Sequence, residues 1–69
     1  MTKAERIRTA KYRKHIFLAR GLVYRDLAWK AGVTYSMAEK WMSARRVSGK
    51  IADAYRALTG HPATPSETK

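Results

Sequence analysis

Apolar residues in the second half of the chain fall at helical rather than strand spacing. Ile51, Ala52, Tyr55 and Leu58 are one, three and three residues apart, and Ala38, Trp41 and Met42 three and one. Each set marks one stripe of a helix turned toward a core. Gly21, Gly32, Gly49 and Gly60 stand just outside segments rich in Ala, Arg, Lys, Leu and Met, and no Pro precedes Pro62. The pattern predicts an all-α fold, a small four-helix domain over residues 1–60.

The first helix is expected from about Ala4 to Arg20, closed by Gly21, with Leu22 folding back onto Phe17 as in a Schellman stop. The second should run from Tyr24 to Ala31, with Asp26 in its first turn and Gly32 at its close. A third should follow Thr34 and reach about Ala44. Thr34 is a candidate cap, and Ser36 with Glu39 also matches a capping box, which leaves the start open by two residues. The fourth, capped by Ser48, should extend to Thr59 before Gly60 and Pro62. Residues 61–69 hold two Pro and little apolar mass, so they are expected to form a flexible, disordered C-terminal tail.

The most restrictive stretch is 24–43, YRDLAWKAGVTYSMAEKWMS. Leu27, Ala28, Ala31 and Val33 are apolar before and at the turn. Ala28 is small where two backbones would approach, Gly32 permits a positive φ, and Val33 fills the angle between helices. On these residues, together with Leu22 and Trp41, the chain resembles the helix-turn-helix of the phage repressor and Cro family over roughly residues 12–59. The resemblance implies that the second helix of the motif enters the DNA major groove.

Carried onto matching positions, the resemblance assigns base contacts to Tyr35, Ser36, Glu39 and Lys40. Lys40 can donate to guanine, Ser36 donates or accepts, Tyr35 suits a thymine methyl or a phosphate, and Glu39 either accepts from cytosine or orients a neighbouring cation. Phosphate contacts are expected from Tyr24, Arg25, Thr34, Ser43, Arg45, Arg46 and Lys50. Three positions depart from the family pattern. Val23 stands where a Ser or Thr usually caps the motif's first helix, at a cost of about 1 kcal/mol. Ala38 replaces a larger aliphatic. Trp29 falls on the solvent side of its helix and Met37 is expected to be exposed as well, which makes the two a candidate protein interface.

Charge adds to this picture. The 69 residues carry 15 Lys and Arg against 5 Asp and Glu, a formal charge of +10. Residues 1–20 hold seven cations and one acid, 21–50 six and two, and 51–69 two and two. The excess therefore sits on the first helix and the motif. The run Lys3, Arg6, Arg8, Lys11, Arg13 and Lys14 reads either as a solvated face or as a phosphate-contacting extension.

Other chemistry is sparse. Without Cys there is no disulfide, thiolate site or thiol nucleophile. The acids are scattered, and no Gly-rich phosphate loop or nucleophile–base pair occurs, so an enzyme is not expected. Neither His15 nor His61 has metal-ligand company, and no cofactor or metal is implied. The longest apolar run, Ile16 to Ala19, is too short to cross a membrane. The expectation is a sequence-specific transcriptional regulator of phage or prophage type, binding double-stranded DNA as a homodimer in the bacterial cytoplasm and associated with the nucleoid. The alternative is a phage-encoded protein-binding module on the same scaffold, inhibiting a host protein such as a transcription activator.

Overall fold

A computed structural model describes residues 2–65; residues 1 and 66–69 lie outside it. Four helices follow in order, α1 (Lys3–Ala19), α2 (Tyr24–Ala31), α3 (Tyr35–Met42) and α4 (Gly49–Thr59), with no strand among the described residues. The all-α expectation holds, and the boundaries of α2 and α4 match it.

Each start has a local cause. At α1 the Thr2 hydroxyl accepts from Glu5 N at 3.2 Å, and Thr2 N donates to the Glu5 carboxylate at 3.3 Å. This capping box starts the helix one residue earlier than expected. At α2, Val23 offers no acceptor, yet its own N–H donates to Asp26 Oδ2 at 3.0 Å, so half of the box survives. Thr34 caps α3 by accepting from Met37 N at 3.2 Å, which settles the open start in favour of Thr34 over Ser36. Ser48 accepts from Ile51 N at 3.3 Å and opens α4. Gly49 is therefore the first residue of α4, inside the helix rather than beside it.

Three of the four stops share one design, while α4 ends on a single bond from Gly60 N to Arg56 O at 2.8 Å. Leu22 N donates to Phe17 O at 2.9 Å and Gly21 N to Leu18 O at 3.2 Å, the paired bonds of a Schellman motif, with Leu22 packed against the core. The same pair recurs at Val33 to Ala28 and Gly32 to Trp29. It recurs again after α3, where Arg45 N donates to Lys40 O and Ala44 N to Trp41 O, both at 2.9 Å. Here the left-handed residue is Ala44, with φ 61°. The third helix consequently ends at Met42, two residues short of the sequence expectation.

α2 packs against both α3 and α4, and α1 closes over them. Leu27, Ala28, Ala38, Trp41, Met42, Ile51, Ala54 and Tyr55 form most of the core, with Phe17 from α1. Phe17 stacks on Tyr55 at 5.4 Å between centroids, and Trp41 tilts against Tyr55 at 5.3 Å. Trp41 is thus a core residue. The Tyr55 hydroxyl is buried with no hydrogen-bond partner among the described residues.

Two expectations need correction. Arg13 is buried, at 4% exposure, and does not belong to the solvent face of α1. Its Cζ lies 3.6 Å from the Trp41 ring centroid, Nε donates to Ala63 O at 2.7 Å, and Nη1 donates to Trp41 O. Residues 61–65, expected to be disordered, dock on the bundle instead. Ala63 is buried, and the Tyr12 hydroxyl donates to Pro62 O at 2.9 Å. The physical reason is the guanidinium: buried by Trp41, it needs carbonyl acceptors, and the returning chain supplies one. The rest of the expected tail, 66–69, lies outside the described residues.

Candidate nucleic-acid interface

The surface of α3 follows from its burial pattern. Ala38, Trp41 and Met42 turn inward, and this leaves Tyr35, Ser36, Glu39 and Lys40 exposed together on the opposite face. All four residues assigned to base contact share one side of one rigid helix. Thr34, also exposed, accepts from Met37 N through its hydroxyl oxygen at the cap. Ser43 is half-buried, and its hydroxyl donates to Glu39 O at 2.9 Å, so it secures the last turn of α3 rather than presenting a free donor.

Tyr24 supports this face from α2. Its ring is 6.2 Å from Tyr35 and 6.5 Å from Phe17. A contiguous aromatic series therefore runs from exposed Tyr35 through half-buried Tyr24 to the Phe17–Tyr55–Trp41 core. Burial, with the nearby Tyr35 and Glu39, pushes the Tyr24 hydroxyl above its ordinary range, so it remains a neutral donor at physiological pH. The two adjacent residues at the start of α2 separate in space. Arg25 lines the groove that holds Trp29 and Leu58, whereas Tyr24 lines the one shared with Tyr35.

Arg45 and Arg46 separate likewise. Arg45 opens onto a groove shared with the first half of α1, and Arg46 onto one formed with α4 and the docked 61–65 segment. A Cβ placed on Gly32 would lie 3.7 Å from Lys50 Nζ, which puts that ammonium over the end of α2. A cation there complements the negative end of the helix dipole. The phosphate set thus forms separate clusters around the motif rather than one patch.

Of the two candidate protein-contact residues, Trp29 is 84% exposed. Met37 is partly buried against the core, so its expected exposure is corrected. Its position, one turn before Trp41 on α3, places it at the edge of the buried stripe. Two features were missed from sequence: the Thr2–Glu5 box, legible in its Thr-x-x-Glu spacing, and the Arg13 bridge, for which no sequence signal exists. No helix among the described residues is long and apolar enough to cross a membrane. Compared with known proteins, the chain matches no family model, no curated protein and no solved structure.

Proposed function

We propose that this protein is a sequence-specific double-stranded DNA-binding regulator of transcription, of phage or prophage type, that acts in the bacterial cytoplasm on the nucleoid. One observation carries the reading: a short helix held by a tight left-handed turn exposes Tyr35, Ser36, Glu39 and Lys40 on one face while its other face is core. Lys40 and Ser36 supply donors suited to base edges, and Glu39 an acceptor. The surrounding cations supply sequence-independent attraction to phosphate. A two-fold homodimer would place two such helices in successive major grooves, with half-sites about one helical turn apart.

The test is an unbiased selection of duplex DNA at moderate salt, with a mass measurement of the protein in solution. A recovered palindromic sequence and a dimer on that DNA are the expected outcome; absence of any preferred sequence refutes the reading. Lys40→Ala should relax preference at one or two base pairs, each by about 1–3 kcal/mol.

Exposed Trp29 favours a second reading, a module that binds a host protein such as a transcription activator. It sits with Leu22 and Leu58 along an open groove rimmed by Arg25, Asp26 and Lys30. Large aromatics at the centre of an apolar patch are frequent anchors of protein interfaces. A stoichiometric protein partner retained after nuclease treatment, and lost on Trp29→Ala, would establish that reading.

A further inference from the structure

We propose that the groove between the first half of α1 and the end of α3 is a second phosphate-binding surface, which grips the DNA backbone flanking the major groove that α3 enters. The inference rests on the DNA-binding reading and adds Lys3, Arg6 and Lys11 to it. These three cations and Arg45 surround a groove of about 470 Å³ with Ile7 and Ala10 among its lining residues. Lys3, Arg6, Ile7, Ala10 and Lys11 recur at helical spacing and so share one side of α1.

Three features set this surface apart from an ordinary solvated helix face. First, it contains no acid among the described residues. The one carboxylate on α1, Glu5, is turned back onto the Thr2 N–H and hydroxyl, which hold its pKa below the usual range. It remains ionised but is occupied by the cap. Second, residues 2–8 are all exposed, and Thr9 is the first buried position of α1. Two turns of helix are therefore maintained by a cap without burying a side chain in the core. Ordering that segment costs conformational entropy that no core burial offsets, and a polyanion would add compensation. Third, the groove is built from two elements, and the one that contributes Arg45 is the turn closing the recognition helix. Backbone leaving the base-contacting face past Lys40 and Arg45 would meet the α1 cations next.

The partner follows from chemistry. Four cations around a small apolar floor match a line of phosphates. A membrane surface would need a wide apolar face, and among the described residues this one has Ile7 as its single large hydrophobe.

The experiment compares charge removal on two sides of the same helix. Arg8 is exposed on α1 and does not line the groove. Binding of a selected duplex would be followed across a salt series for wild type, Arg6→Ala, Arg8→Ala and the triple variant Lys3→Ala/Arg6→Ala/Lys11→Ala. Thermal melts would verify that each folds. Arg6→Ala should lower the slope of log K against log salt by about 0.9, and the triple variant by about 2 to 3. Arg8→Ala should change it by less than half as much as Arg6→Ala, and base preference should persist throughout. Equal slopes for Arg6→Ala and Arg8→Ala would overturn the proposal by reducing the effect to net charge. An unchanged slope in the triple variant would overturn it while leaving sequence-specific binding intact. A wild-type protein with no DNA affinity would end both readings. Binding to anionic vesicles that is lost in the triple variant while DNA affinity is unchanged would assign the surface to membranes instead.

Discussion

Ala44 holds a conformation that L-residues resist. Its φ of 61° allows the turn after α3 to form both Schellman bonds and sends Arg45 toward α1. A non-glycine residue in that region loses about 1–2 kcal/mol, and glycine recovers this less its greater chain entropy of about 0.5–1 kcal/mol. Ala44→Gly should therefore raise unfolding free energy by about 0.5–1 kcal/mol, measurable by urea titration. Stability equal to or below wild type would remove the strain argument. This feature also explains why the end of α3 was misplaced from sequence: Ala is the best helix former, and nothing marks it as a turn residue.

Tyr55 carries a different local cost. Its ring is completely buried between Phe17 and Trp41, while its hydroxyl finds no partner among the described residues. Tyr55→Phe keeps the ring stack and removes the orphan donor, so stability at pH 7 should hold or rise by about 0–1 kcal/mol. Burial, with the neighbouring Tyr12 adding to it, pushes the phenol up from 10.0 to about 12. Its ionised form is thus disfavoured in the folded state. The sign is definite: stability is full below pH 10 and declines as pH rises from about 10 to about 12, because the unfolded phenol loses its proton first. In Tyr55→Phe that part of the alkaline decline should disappear. An unaltered pH profile for the variant would show that Tyr55 is not the group responsible.

Among the elements, α2 and α4 were legible because each has an apolar stripe and a glycine that ends it in the left-handed region, Gly32 and Gly60, with a Ser48 cap at the start of α4 as well. The exposed face of α3 was legible for the same reason, since its inward stripe fixes the outward one. The 61–65 segment was not. Its order comes from contacts 50 residues away in sequence, Tyr12 to Pro62 and Arg13 to Ala63, and local composition cannot report them. Truncation after Gly60 should cost about 2–4 kcal/mol in urea denaturation, because it leaves a buried guanidinium short of an acceptor. In an Arg13→Met background the same truncation should cost clearly less. Equal costs in the two backgrounds would mean that the segment contributes packing alone.

At the scale of the molecule, charge and apolar surface are segregated. Lys3, Arg6, Lys11 and Arg45 flank the end of α3, whereas Trp29, Leu22 and Leu58 line a separate groove with mixed charge at its rim. If both proposed readings hold, the DNA-binding and protein-binding faces would have Arg25 in common, since it is assigned to phosphate and also rims the Trp29 groove. If six or more phosphates are neutralised, affinity for the selected duplex should fall by about a thousandfold between 50 and 200 mM salt. A fall of less than tenfold would mean that the cations do not meet the backbone as a set. The candidate site was only partly legible at this scale. Sequence placed Arg45 beside Arg46 and Tyr24 beside Arg25, but helical and turn geometry sends the members of each pair into different grooves.

The Arg13 bridge has a temporal side as well. The residue that begins it and the carbonyl that completes it are made fifty residues apart, and the same guanidinium donates to Trp41 O near the end of α3. During synthesis from the N-terminus, Arg13 and Trp41 emerge well before Ala63, so the motif's strands of sequence are present before their anchor. A chain released early would carry α3 with the Arg13 cation beneath it still lacking that acceptor. A chain that stops before residue 61 is thereby disfavoured at the level of folding, since Ala63 O is one of the acceptors for the guanidinium that joins the first helix to the third.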